Sequence, residues 1–352
     1  MNKIIYEQND FPVFQNRMYE TELDAINCVK GNIQLVEDAI TGLVYNAAFK
    51  PELMIYDRHY QNEQAVSPLF KKHLGSVADI IRCHMGCESL VEVGCGKGAF
   101  LELLASQGFN LTGFDPTYEG DNPTIKKQYF SPGVIKSAHG LILRHVLEHI
   151  QDPVTFLHQL QVSNEGKGLI YIEVPCFDWI CENAAWFDIF YEHVNYFRLS
   201  DFQRMFDRVI SSGRLFGGQY LYVVADLATL KIPKIDQSNL VKFPRHFLAR
   251  LSKFAKTTLA QTAIWGGASK GVIFSLLMAR HGVPVSTVID INPAKQRLFL
   301  PATGLQVTAP DEAIKTMPDG STVYVMNSNY LEEIRQMSGN KFFYIGIDRE
   351  QF

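Results

Sequence analysis

The run Leu90-Val91-Glu92-Val93-Gly94-Cys95-Gly96-Lys97-Gly98 restricts the fold more than any other stretch of the chain. Its apolar residues suit a buried parallel strand, with an acid near the strand's end. The glycines that follow at alternate positions let the backbone turn sharply and let a ligand approach it where a helix begins. The spacing reads G-x-G-x-G rather than the G-x-G-x-x-G usual at dinucleotide sites. A plain tight turn in another α/β protein is the competing reading.

The flanking segments fit a βαβ unit. Residues 98–107 are predicted helical, with Phe100, Leu101, Leu103 and Leu104 forming an apolar side. Residues 109–114 read as a second strand, ending at Asp115-Pro116. A carboxylate about twenty residues past a glycine turn is placed to accept ribose hydroxyls in doubly wound nucleotide sites. Residues 137–143 and 168–174 are further strand candidates, and 216–225 is expected to close the sheet. Past Lys231-Ile232-Pro233 a helix is expected over 247–262. A second βα unit then opens with Thr262-Ala263-Ile264-Trp265-Gly266-Gly267-Ala268-Ser269-Lys270-Gly271, runs as helix to about residue 280, and continues in a strand at 286–290. It is not a phosphate-binding Walker loop, because the order is Lys-Gly and no Ser or Thr follows. Asp290 lies about twenty residues past its glycines, as in a nucleotide-binding half-domain. A turn that binds nothing competes evenly with that reading.

The expected fold is therefore α/β: a doubly wound Rossmann-like sheet with a small N-terminal segment and a second C-terminal Rossmann-like α/β domain. The expected divisions are an accessory segment at 1–70, a cofactor domain at 71–232 and a C-terminal, nucleotide-binding domain at 233–352. A chain of 352 residues allows two or three domains. Within 1–70, residues 32–36 and 42–46 read as short strands, and 67–82 as an amphipathic helix. A net charge of −4 gives no electrostatic footprint for nucleic acid. No apolar run is long enough for a membrane span, and the N-terminus lacks the apolar core of a signal peptide, so a cytoplasmic location is expected. The six cysteines form no C-x-x-C pair and are expected as free thiols.

Two clusters carry candidate chemistry. Arg144-His145-Val146-Leu147-Glu148-His149 contains H-x-x-E-H, a pattern that can hold zinc when both histidines face one metal from mid-helix. Here it directly follows the strand Leu141-Ile142-Leu143, and Pro153 breaks the segment, so no metal is expected. The better reading is a strand end whose loop covers the cofactor, with Glu148 and His149 bracing a short helix. The second cluster, Trp186 to Phe197, sets Tyr191-Glu192-His193 among large rings. Burial and a neighbouring carboxylate would tune His193 as a general base. A core segment whose His and Glu satisfy each other is the alternative.

G-x-G-x-G is also how S-adenosylmethionine (AdoMet) methyltransferases open their first βα unit. With the pieces in order, nearly the whole chain resembles the three-part sugar C-methyltransferase family of AdoMet-dependent enzymes. The resemblance rests on Glu92 to Gly98, Arg144 to His149, Tyr191-Glu192-His193, Phe216-Gly217-Gly218-Gln219, Trp265 to Gly271, and Asp290-Ile291-Asn292-Pro293-Ala294-Lys295. It implies AdoMet as cofactor, held by Glu92, Gly94, Cys95, Gly96, Gly98, Asp115, Pro116, Arg144 and His145. It implies a nucleotide-linked keto-deoxysugar as the small-molecule substrate, bound by Tyr60, Gly218, Gln219, Gly267, Lys270 and Asn292. Catalysis would run through an enolate, with His193 as base, Glu192 orienting it, and Tyr191 and Tyr60 as phenols. Three departures stand out. The family's four zinc-binding N-terminal cysteines are missing, since only Cys28 precedes residue 83. Phe190 replaces the tyrosine of Tyr-x-Glu-His, and Gln219 replaces a glutamate. O- or N-methylation of another metabolite is the alternative within the class, and an NAD-dependent nucleotide-sugar oxidoreductase or a catalytically idle binding module the alternative outside it.

Overall fold

The computed structural model describes residues 2–55, 67–249, 251–252, 254, 262–283 and 285–348. Its strands, numbered in chain order, form three sheets. The N-terminal sheet joins β1 (Lys3–Pro12), β2 (Lys30–Glu37) and β3 (Val44–Asn46) to β9 (Asn195–Tyr196), all antiparallel. β1 was not expected from the sequence, because its Gln-Asn-Asp stretch masks the alternation of apolar residues. The partner β9 lies some 150 residues further along, beside His193.

The central sheet has seven strands in the order β10-β11-β8-β7-β4-β5-β6. They are β4 (Leu90–Val93), β5 (Leu111–Phe114), β6 (Ile125–Lys126), β7 (Gly140–Arg144), β8 (Leu169–Pro175), β10 (Val209–Leu215) and β11 (Tyr220–Asp226). From β6 to β8 the strands are parallel, in the order of a doubly wound fold. β11 then runs antiparallel to β8, and β10 antiparallel to β11. The edge is thus β10, not the expected strand at 216–225. Residues Phe216–Gly218 form a tight 3₁₀ turn in which Phe216 and Gly217 have φ of +51° and +69°.

Side chains alternate across each strand, so both faces must be covered. Leu141, Leu143, Ile170 and Ile172 point into one core, and Ile142 and Tyr171 into another. The second core is roofed by the helix Pro68–Met85, whose Phe70, Leu74, Val77, Ile81 and Met85 recur at helical spacing. Ser67 caps its start, accepting from the amides of Leu69 and Phe70, and Gly86 (φ +74°) ends it. The first core is shared with Phe11, Val13 and Phe14 of the N-terminal segment and Ile273, Phe274 and Val288 of the C-terminal part.

The C-terminal sheet is wholly parallel, in the order β14-β13-β12-β15-β16. Its members are β12 (Thr262–Trp265), β13 (Thr287–Ile289), β14 (Val307–Thr308), β15 (Thr322–Val325) and β16 (Phe343–Gly346). The helix Lys270–Arg280 follows the second glycine turn as expected. The second βα unit opens with β12 at Thr262, as expected; most of the helix expected over 247–262 lies outside the described residues. No helix among the described residues is long and apolar enough to cross a membrane.

Candidate active site

In an open α/β sheet, ligands bind beyond the carboxyl ends of the strands where the order reverses. In the central sheet that point lies between β4 and β7, and the glycine turn sits there. Gly94 has φ +74°, and a Cβ on it would come within 2.5 Å of Val146 Cγ2. Gly96 (φ +54°) faces open space instead, since an added Cβ would meet nothing within 4 Å. Gly98 (φ +85°) starts the helix Ala99–Ser106. Asp115, at the end of β5, braces the turn: its Oδ2 accepts from Gly96 N at 2.8 Å and its Oδ1 from Thr117 N at 2.8 Å. Pro116 follows it into the turn, and Cys95 is buried beneath. Glu92 is 3% exposed and its Oε2 has no partner among the described residues. Burial pushes its carboxyl up to about 7, Arg144 opposing and Asp115 adding to the rise. A buried unpaired carboxylate oxygen beside an open, amide-lined turn fits a polar, cationic nucleoside such as AdoMet.

Beyond β7 the chain enters a network of buried charge. Glu173, fully buried on β8, accepts from His73 Nε2 (2.9 Å), Tyr171 Oη (2.8 Å) and Arg144 Nε (3.3 Å). Burial alone would raise its pKa, but Arg144, His145 and His73 hold it well below the usual range. Arg144 also lies over the Phe100 ring at 4.4 Å. His145 has φ +51°, a conformation unusual for a side chain of this size, and such positions cluster at functional sites. Its Nδ1 is 3.2 Å from Glu148 Oε1 and its Nε2 3.3 Å from Glu173 Oε1. Burial works against its charge, yet these two carboxylates push it up to about 9. Its ring meets Tyr220 edge-on at 4.6 Å. Arg144 and His145 are thus tied to β8 and β11. His73 and Glu173 were missed in the sequence, although a glutamate in the otherwise apolar run of β8 was the visible signal.

The two clusters separated in sequence meet in space. Leu147–His149 is a 3₁₀ turn, so His145 and His149 diverge instead of sharing a helix face. Val194 N donates to Glu148 O at 2.8 Å, and His149 Nδ1 donates to Glu192 O at 2.8 Å. The rings of His149 and His193 are 5.0 Å apart. His193 is buried against Phe190, with ring centroids 4.0 Å apart. Burial, then the nearby His149, His145 and Lys270, hold it well below the ordinary histidine pKa. Glu192 braces this loop: its main-chain carbonyl orients His149, and its Oε2 accepts from Gln15 N at 2.9 Å. Tyr191 is fully buried, its hydroxyl accepting from Lys50 N at 2.8 Å and its ring filling the space above Gly31. It anchors the N-terminal segment. Tyr60 lies outside the described residues.

A cleft of about 210 Å³ opens at the carboxyl ends of the C-terminal sheet. Gly266, Asp290 and Asn327 line it from the ends of β12, β13 and β15, and Tyr220 lines it from β11. Asp290 Oδ2 accepts from Gly267 N (2.8 Å) and its Oδ1 from Asn292 N (2.8 Å), while Lys295 Nζ stands 3.7 Å away. Lys270 lines the same cleft, with Nζ 2.7 Å from Gln219 Oε1 and 3.0 Å from Asp188 Oδ2. Gln219 is committed to the join between the domains, its Nε2 donating to Asn327 Oδ1 (3.0 Å) and Asp348 Oδ2 (2.9 Å). Gly218 (φ +89°) passes close to Trp179. The structure therefore brings Lys270 and Asn292 to one cleft, with Gly267 donating to Asp290 on its wall, and places Gln219 behind Lys270. Asp188 and Tyr220 were not singled out in the sequence, and nothing local distinguishes them.

Residues 54–209 match a family model described as a methyltransferase domain. No curated protein matches the sequence significantly. Among solved structures, the chain is similar to the 1,6-didemethyltoxoflavin-N1-methyltransferase of Burkholderia thailandensis, solved with 1,6-didemethyltoxoflavin and S-adenosylhomocysteine. Identity is 16%, with 47% of this chain and 79% of that one covered and a TM-score of 0.33. It is also similar to the plantazolicin methyltransferase BpumL in complex with S-adenosylhomocysteine, at 16% identity and a TM-score of 0.31, over 40% of this chain and 63% of that one. The matched span lies across the glycine turn, its two acids and the parallel core of the sheet, so the chain carries a methyltransferase domain.

Proposed function

We propose that the enzyme transfers the methyl group to a carbon next to a ketone in a nucleotide-linked deoxysugar. The observation that carries this reading is the cleft shared by the two α/β units. Its far end offers Asp290, Asn292 and Lys295 beyond parallel strands, the setting in which nucleotides bind. Its near end reaches Tyr220, whose ring packs on His145 at the methyltransferase site. A substrate with a nucleotide handle and a small reactive head matches that span.

When bound at the glycine turn, AdoMet supplies an electrophilic methyl on a sulfonium. Glu92, Gly94, Cys95, Gly96, Gly98, Asp115 and Pro116 would hold it, with Arg144 and His145 at the mouth of β7. His193 would accept the proton from the carbon α to the ketone, and the enolate so formed would take the methyl as the S–CH3 bond breaks and S-adenosylhomocysteine leaves. Lys270, which lines the cleft and lies near enough to depress His193, offers a positive charge for the developing oxyanion. Alignment supplies much of the acceleration, because the sulfonium is already a good leaving group. Gly267, Lys270 and Asn292 position the substrate, and Gln219 holds Lys270 in place.

The test incubates the full chain with methyl-labelled AdoMet and a panel of nucleotide-linked 4-keto sugars in deuterated water. Label in the sugar, with exchange of the α-proton, is the expected result. Label without exchange assigns the methyl to oxygen or nitrogen and removes the enolate.

A further inference from the structure

The group around His193 has a second capacity. We propose that Glu148, His149 and His193 bind one divalent ion of the zinc class. The three residues each present a ligand atom, and these atoms lie within 4.8 Å of one another. Tetrahedral zinc spaces its ligand atoms about 3.4 Å apart.

Two further observations point to a ligand. Glu148 is 1% exposed, its Oε1 faces His145, and its Oε2 has no partner among the described residues. An unpaired buried carboxylate oxygen is costly, and a cation bound to it offsets that cost. The second observation is the tautomer of His149. Its Nδ1 faces a main-chain carbonyl, Glu192 O, at 2.8 Å and must therefore carry the proton. The lone pair is left on Nε2, and a carbonyl-backed imidazole of this kind is how metal-binding histidines are oriented. The H-x-x-E-H pattern contributes only its Glu and second His, because His145 is turned toward Glu173. The third ligand comes from the other cluster, and the Val194-to-Glu148 main-chain bond holds the two segments together.

Two imidazoles and one carboxylate favour Zn²⁺, Co²⁺ and Ni²⁺ over Mg²⁺ and Ca²⁺, which prefer oxygen ligands. An ion here takes the His193 lone pair that the proposed function gives to the substrate proton. It should therefore inhibit methyl transfer. Only this inhibition rests on the proposed function; the binding itself does not.

The test titrates Co²⁺ into chelator-treated full-length protein and follows visible absorption, then displaces the Co²⁺ with Zn²⁺. The expected result is one Co²⁺ per chain with a low-symmetry absorption band, lost on adding Zn²⁺ and insensitive to millimolar Mg²⁺. Glu148→Gln and His149→Gln should each weaken binding by more than the roughly 10–100-fold that losing an outer-shell partner costs. Retained S-adenosylhomocysteine binding shows that these variants are folded. No absorption band, or equal affinity in wild type and both variants, overturns the proposal. Methyl transfer by metal-free protein is measured in parallel. Failure to bind metal with transfer intact sinks the metal site alone, whereas metal binding without any methyl transfer sinks the proposed function alone.

Discussion

Replacing Glu92 with glutamine should make the protein more stable at pH 8 and a poorer binder of its cofactor. Glu92 is buried, and its pKa rises from 4.5 in the unfolded chain to about 7 in the fold. The folded state therefore holds the proton at pH values where the unfolded state has released it. Stability from this group is fully present below the unfolded pKa and is lost as pH rises through about 7. The full loss is about 3 kcal/mol, of which roughly 2.5 kcal/mol accrues between pH 5 and pH 8. Glutamine keeps the shape and never ionises, so Glu92→Gln should match wild type near pH 5. At pH 8 it should melt higher by about 3 °C. The measurement is thermal unfolding of cofactor-free protein across this range, because bound ligand would add its own stabilisation. S-adenosylhomocysteine affinity, measured by calorimetry, should fall about tenfold or more with the loss of a charged acceptor. A pH-independent difference in melting temperature, or a variant less stable than wild type at pH 8, would refute the argument that burial raises this carboxyl.

Other positions give independent checks. Gly94→Ala places a methyl 2.5 Å from Val146 in left-handed backbone, whereas Gly96→Ala bears only the backbone strain of about 1–2 kcal/mol. Gly94→Ala should therefore lose more melting temperature, and the opposite order would contradict the geometry of the turn. His193→Gln should lower turnover about 10²–10⁴-fold while S-adenosylhomocysteine affinity stays within about twofold; unchanged turnover would remove the base. Gln219→Ala leaves Lys270, Asn327 and Asp348 short of a partner at the domain join, so a loss of about 2–4 kcal/mol in denaturant unfolding is expected. Asp290→Ala should weaken nucleotide-sugar binding at least about tenfold with cofactor binding intact, and equal loss of both would show that the two sites are not separate.

The parts of the fold legible in the sequence are those whose signal is local. The run Leu90 to Gly98 carries strand, turn and helix start in nine consecutive residues, and the structure differs from that reading by about one residue at each end. β10 was missed because Val209-Ile210-Ser211-Ser212-Gly213-Arg214-Leu215 is half polar, as an edge strand with one partner can be. β6 is two residues long and is specified only by its neighbour β5. At the site, His193 and the H-x-x-E-H segment were each visible, but their meeting was not. It depends on hydrogen bonds such as Val194 to Glu148 and His149 to Glu192, made across more than forty positions. Gln219 looked like a substrate ligand because it ends a glycine pair, yet its contacts belong to residues more than fifty positions away.

The N-terminal segment is held to the rest of the chain by packing and by hydrogen bonds. Phe11, Val13 and Phe14 enter the main core, so the segment borrows hydrophobic stabilisation from the methyltransferase sheet. β9 adds a fourth strand to its sheet, Lys50 N holds the Tyr191 hydroxyl, and Gln15 N holds Glu192. All three ties land between residues 191 and 196, on the loop that carries His193. Gln15 O also accepts from Ser269 N at the second glycine turn, at 3.4 Å. The accessory segment therefore fixes the proposed base relative to the C-terminal cleft. Loosening it with Phe14→Ala, expected to cost about 3–5 kcal/mol in the core, should reduce turnover more than cofactor affinity, because the glycine turn at β4 rests on other contacts. Equal losses in the two would place the segment's influence in the global stability of the chain instead.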